Sequence, residues 1–271
     1  MEELRYPGRE VYKNAPVALV VAELRISYEP QIKDFNLENG FAAIIREQFP
    51  ILSEENVPKF PALPGLAPLS NETIRQIRAA NEVGTESISV SANSILFESS
   101  KYVKFEDFLE FIKVGLTALE KVIPDVWIKR LGLRYIDEIH MPEVDGNVRN
   151  WNRWINSGLL GSLNCLPESI GTGISGANVF NMGGSSTVIF KWGTYFGHTI
   201  LKQTKLFHEP KPEPEHTFVL DIDSYSDLVK RNRFDVEWIL SEFTSLHKPA
   251  GNVFNWAITD ETRNFFRGDV S

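Results

Sequence analysis

Cysteine is nearly missing from this chain: Cys165 stands alone. A lone thiol excludes an intrachain disulfide and a thiolate zinc cluster, and it suits a reducing compartment. Long hydrophobic runs are missing too. The longest, APVALVVAEL at 15–24, is far short of the roughly 20 residues that a membrane helix needs. The opening MEELRYPGREVYKNAP lacks the basic-then-apolar layout of a signal peptide. Those gaps predict a soluble protein of the cytoplasm with no membrane partner. Positive charge is in deficit, 28 Lys and Arg against 36 Asp and Glu, for a formal net charge of -8. That balance disfavours nucleic acid as a partner while leaving room for a local basic groove.

Recognisable catalytic and cofactor motifs are also lacking. The chain has no Walker loop, Rossmann fingerprint, His-Glu-x-x-His pair or G-x-S-x-G elbow. Glycine-rich GTGISGAN, 171–178, precedes strand-like sequence, so no helix N-terminus stands behind it to receive phosphate. The five histidines, 140, 198, 208, 216 and 247, show no metal spacing. No cofactor is therefore indicated.

What is present is patterned for a core: 271 residues, 42% of them hydrophobic, suffice for one large unit. Residues 16–27 read as a strand that is apolar on both faces at first and alternates from Glu23 onward. A helix is expected over 37–48, and 57–71, with four prolines and a glycine, reads as a loop. Strands at 86–92 and 94–99, an amphipathic helix at 105–122 and a long strand at 126–139 follow. This predicts an α+β fold of antiparallel sheet packed with amphipathic helices, its first half in β-α-β-β-α-β, ferredoxin-like order.

The second half reads as strand-rich and closed by helices. A helix is expected within 147–163, then strands at 176–182, 185–192, 195–207 and 216–225. Helices at 235–247 and after Thr259, stopped by Gly268, end the chain. Two halves, 1–145 and 146–271, are expected to form one compact unit.

The stretch RLGLRYIDEI, 130–139, sets two arginines into a strand. Alternation puts Arg130, Gly132 and Arg134 on one face, opposite Leu131, Leu133 and Tyr135. Glu23 with Arg25, and Asp221 with Asp223, share strand faces in the same way. If the three strands are neighbours, these six charged residues form one polar surface. Such a surface is either an outer face laced with salt bridges or a groove for an anionic ligand.

Three functions follow. The first is a non-catalytic binding or protein-interaction module using the groove, with another protein as partner. The second is a metal-assisted enzyme on a nucleotide or other phosphorylated ligand, Asp221 and Asp223 holding Mg²⁺ or Mn²⁺ and the arginines holding phosphate. The third is nucleic-acid binding through KRNR, 230–233, and an exposed aromatic-basic patch at Trp151, Arg153 and Trp154.

The opening PVALVVAELRIS strand, the RLGLRY strand and the closing LDID strand with its leucine- and histidine-bearing helix together resemble a sporadically distributed prokaryotic family of conserved hypothetical proteins. The resemblance runs from about Pro16 to about Phe266 and carries no activity or catalytic residue with it. Patchy occurrence implies an accessory role, such as defence.

Overall fold

The computed structural model describes residues 10–29, 40–58, 73–142, 144, 146–161, 163, 166–167, 173–183, 186–201, 205–209 and 211–268. The chain begins with β1 (Val17–Ile26), α1 (Phe41–Ile45), β2 (Ile51–Pro58), β3 (Thr73–Ala80), β4 (Glu86–Ser91) and β5 (Ser94–Ser99). Next come α2 (Phe105–Glu120) and β6 (Trp127–His140), followed by 3₁₀ turns at Val148–Arg153 and Ser157–Leu159. It closes with β7 (Ser175–Asn181), β8 (Ser186–Gly197), β9 (Glu215–Arg233), α3 (Val236–Ala257) and α4 (Asp260–Arg267). The strands make one sheet in the order β2-β3-β4-β5-β1-β6-β9-β8-β7, every pair antiparallel. The α+β class is therefore as expected, and a single sheet crosses both halves of the chain.

Two strands depart from the expected order of the first half. β2 and β3 lie between α1 and β4, where no strand was expected. Charged and proline-flanked sequence hides them: β2 is an edge strand, a position where a proline such as Pro58 is tolerated. Most of the expected 57–71 loop lies outside the described residues.

One sheet face carries the core. Val20, Ala22, Leu24 and Ile26 of β1 meet Leu131 and Leu133 of β6 and Phe218, Leu220 and Ile222 of β9 beneath α2 and α3. Helix α2 approaches the sheet closely because it has no side chain at Gly115. A Cβ there would stand 2.5 Å from Phe97 and 2.7 Å from Ile88. Glu106 and Asp107 in its first turn complement the helix dipole.

The second half holds four corrections. Among the described residues of 147–163 there is no α-helix; short 3₁₀ turns stand at Val148–Arg153 and Ser157–Leu159. The expected 195–207 strand ends with β8 at Gly197, and the described residues beyond it pack as a loop. There Leu201 and Leu206 meet Leu19 on the sheet's second face, and Glu138 accepts from Thr199 Oγ1 at 2.6 Å and Ile200 N at 2.7 Å. Apolar residues in this loop thus mimic a strand pattern while serving as a cover.

Helix α3 continues ten residues past the expected stop at His247, because Pro249 is accommodated within it. Proline usually ends a helix; here Leu246, Ala250 and Val253 are buried, and that packing favours continuation. His247 is accordingly a mid-helix residue and not a cap. Finally, Trp151 and Trp154 are buried, 1% and 4% exposed, so the expected aromatic-basic patch does not exist. Trp151 packs on Phe218 with ring centroids 5.3 Å apart, and only Arg153 of the three is outside. The caps of α4 are as expected: Thr259 accepts from Thr262 N, and Gly268 takes φ +84°. No helix among the described residues is long and apolar enough to cross a membrane.

Candidate functional site

β1, β6 and β9 are sheet neighbours, so the six charged residues share one face. Most are occupied with one another. Arg134 grips Asp221 with both ends of its guanidinium, Nε–Oδ1 at 2.6 Å and Nη2–Oδ2 at 2.7 Å. That bond, outweighing the opposing effect of burial, holds the guanidinium pKa above its ordinary value. Arg25 donates to Glu23 at 3.1 Å. Arg130 lies 3.8 Å over the Tyr225 ring and 3.7 Å from Asp227. Asp223 stands above Gly132, outside any fork, and burial raises its pKa against the pull of Arg134 and Arg130.

This is largely a salt-bridge lattice. A cation at Asp221 and Asp223 would have to displace the Arg134 fork. Among the described residues no group of three or more His, Cys, Asp or Glu could hold a metal ion. Asn232 and Arg233 of the basic run end β9, where Arg233 lies over the Trp127 ring.

Arg134→Lys tests the lattice. Lysine keeps the charge but loses the planar two-point fork. Because Arg134 is 43% exposed, the expected loss is only about 1 kcal/mol of unfolding free energy in urea. An unchanged value would mean that the fork contributes nothing beyond charge.

The opposite face holds something that the arginines conceal. The core register of β6 runs Leu131, Leu133, Tyr135, then Asp137, then Ile139. Asp137 is 1% exposed, and neither of its carboxylate oxygens has a hydrogen-bond partner. Complete burial, with Asp221 adding repulsion, pushes its pKa up to about 8. It lies in the wall of a cavity of about 120 Å³. The cavity lining includes Tyr102, Phe105, Tyr135 and Ile222 together with His247, Ala250, Phe254 and Asn255 of α3.

The wall is tied together by side-chain contacts. The Tyr135 hydroxyl is 2.9 Å from His247 Nδ1, and His247 stacks on Phe105 with centroids 4.0 Å apart. Residues 10–17 strap the mouth. Asn14 N donates to Phe266 O at 2.9 Å, Glu10 pairs with Arg267, and the Tyr12 ring sits 5.7 Å from Phe266. The Arg267 hydrogen bond holds the Glu10 carboxyl below its ordinary pKa. The lining is mainly apolar with a few converging polar groups, the usual composition of a small-ligand site.

Alternation along each strand puts the six charges on one sheet face, whereas the cavity on the other face was not foreseen. One signal was available: Asp137 interrupts an apolar alternation that resumes at Ile139. No protein-family model and no curated protein matches this chain.

Proposed function

We propose that the protein is a non-catalytic binding module that takes a small, largely apolar molecule into the cavity at Asp137. One observation carries this reading: a buried carboxylate without any partner in the wall of a preformed, aromatic-lined cavity. An uncompensated buried acid is expensive to keep. Fold maintenance would favour Leu or Val at that register position. Residues that break a local rule are expected where a ligand completes the site. A sensing or carrying role would suit the accessory setting implied by the family resemblance.

The charged face supports the competing enzyme reading less well, since Asp221 is already held by Arg134 on both oxygens.

The test is ligand-observed NMR with a panel of ring-sized compounds that are cationic, neutral and anionic. Binding by at least one class is expected, with the compound recovered unchanged. Ala250→Leu, which fills the cavity from α3, should abolish it without lowering the melting temperature. Failure of all three classes at millimolar concentration would overturn the reading.

A further inference from the structure

We propose that the cavity accepts the ammonium head of a primary amine, with Asp137 as its counter-ion and the aromatic walls around a ring-sized apolar body. This rests on the reading of the cavity as a ligand site and adds the chemical class of the ligand.

The argument begins with what Asp137 lacks. Neither oxygen has a hydrogen-bond partner, and in the ionised form both are open acceptors. An ammonium offers three donors and no acceptor, whereas an alcohol offers a single donor. The chain does not supply the cation from β6 itself: Arg130 and Arg134 are sent to the other face by strand alternation and are engaged there. Among the described residues no positive side chain bonds to Asp137, which leaves that place to a ligand.

The charged residues around the cavity are largely paired already. Glu10, Lys104 and Glu106 are among the lining residues, and Glu10 is held by Arg267. Lys104 is itself drawn to Asp107 at 3.3 Å. On the opposite sheet face Asp221 adds to the raised pKa of Asp137, while Arg134 closes on both Asp221 oxygens. Inside, Tyr102, Tyr135 and His247 are the other titratable groups, and Tyr12 closes the strap. Tyr12, Tyr102, Phe105 and Phe254 are among the lining residues, and aromatic rings as a class attract cations through their π-faces.

Size sets the body of the ligand. An engineered apolar cavity of about 150 Å³ binds benzene, so about 120 Å³ suits one ring or a short branched chain. A longer tail would have to leave past the strap.

A proton must move when this ligand enters. With its pKa near 8, Asp137 is mostly neutral at pH 7. As the ammonium arrives, the carboxyl releases its proton to the buffer, and the bound pair is carboxylate and ammonium.

Titration calorimetry at pH 7 with 2-phenylethylamine, 2-phenylethanol and phenylacetate decides the matter. The amine should bind at least about tenfold more tightly than the alcohol, and phenylacetate should be weakest. Repeating the amine titration in phosphate and in Tris should give different heats, the mark of proton release. Asp137→Asn should weaken the amine by about thirtyfold or more, the effect of removing one member of a buried charge pair, while leaving the alcohol within about threefold. In the wild type, ¹³C NMR of the Asp137 carboxyl should report ionisation as amine is added. Preference for the alcohol or for phenylacetate, or a carboxyl that stays protonated with amine bound, would overturn the amine assignment while leaving a ligand site. Absence of binding by all three would overturn the site itself.

Discussion

Asp137→Asn is expected to stabilise the free protein, and by more as the pH rises. The folded-state pKa of Asp137, about 8, lies far above the roughly 3.9 of an unfolded aspartate. Below pH 4 both states hold the proton, and the residue carries no electrostatic penalty. Between about pH 4 and 8 the unfolded chain gives up a proton that the folded protein retains. Stability then falls by about 1.4 kcal/mol per pH unit. Above pH 8 the penalty stops growing, at a ceiling on the order of 5 kcal/mol. Asparagine removes the titration but leaves a buried amide that costs about 1–3 kcal/mol on its own. The net effect should be a gain of about 2–4 kcal/mol at pH 8, and between zero and a loss of about 2 kcal/mol at pH 4.5. Urea unfolding of both proteins across that range checks it. Parallel curves would mean that Asp137 is solvated or partnered in the folded state.

The sign separates function from architecture. A structural carboxylate is destabilising to remove, because it leaves its partner unpaired. Here there is no partner to abandon. A gain in stability coupled to a loss of amine binding is the pattern expected when a binding residue is kept at the expense of the fold.

Trp151→Ala should act in the opposite direction, with a loss of about 3–5 kcal/mol. The side chain is among the largest that are fully buried, and it packs against Phe218 in the core. Its neighbour Trp154 shares the cluster, and Trp154 O accepts from Thr262 Oγ1 at 2.5 Å, tying the 3₁₀ segment to α4. Arg153→Ala, an exposed change on the same turn, should stay within about 0.5 kcal/mol. Thermal and urea unfolding of the two variants give the comparison. Similar small shifts in both would return Trp151 to the surface and revive an aromatic-basic patch.

Strand periodicity explains why part of the site was legible in the sequence. Alternation assigns Arg130 and Arg134 to one face and Leu131, Leu133 and Tyr135 to the other without any knowledge of the neighbouring strands. The caps at Thr259 and Gly268 are local in the same sense, since each depends on backbone within one turn. The stop at His247 failed for the complementary reason. A proline rule is a local tendency, and buried contacts of Leu246, Ala250 and Val253 override it.

The sequence by itself determined the α+β class, the polar and apolar faces of β1, β6 and β9, and the ends of α4, because each follows from spacing along a single segment. Only the tertiary structure decided that β1, β6 and β9 lie side by side, that Arg134 closes on Asp221, and that Asp137 has nothing to close on. Those outcomes depend on which strands pair and on what α3 and residues 10–17 lay over them. Even so, the acid was in plain view at 137, two residues past Tyr135 on the core register. What made it a candidate site is the cavity built around it by residues far away along the chain, from Glu10 on one side to Asn255 on the other.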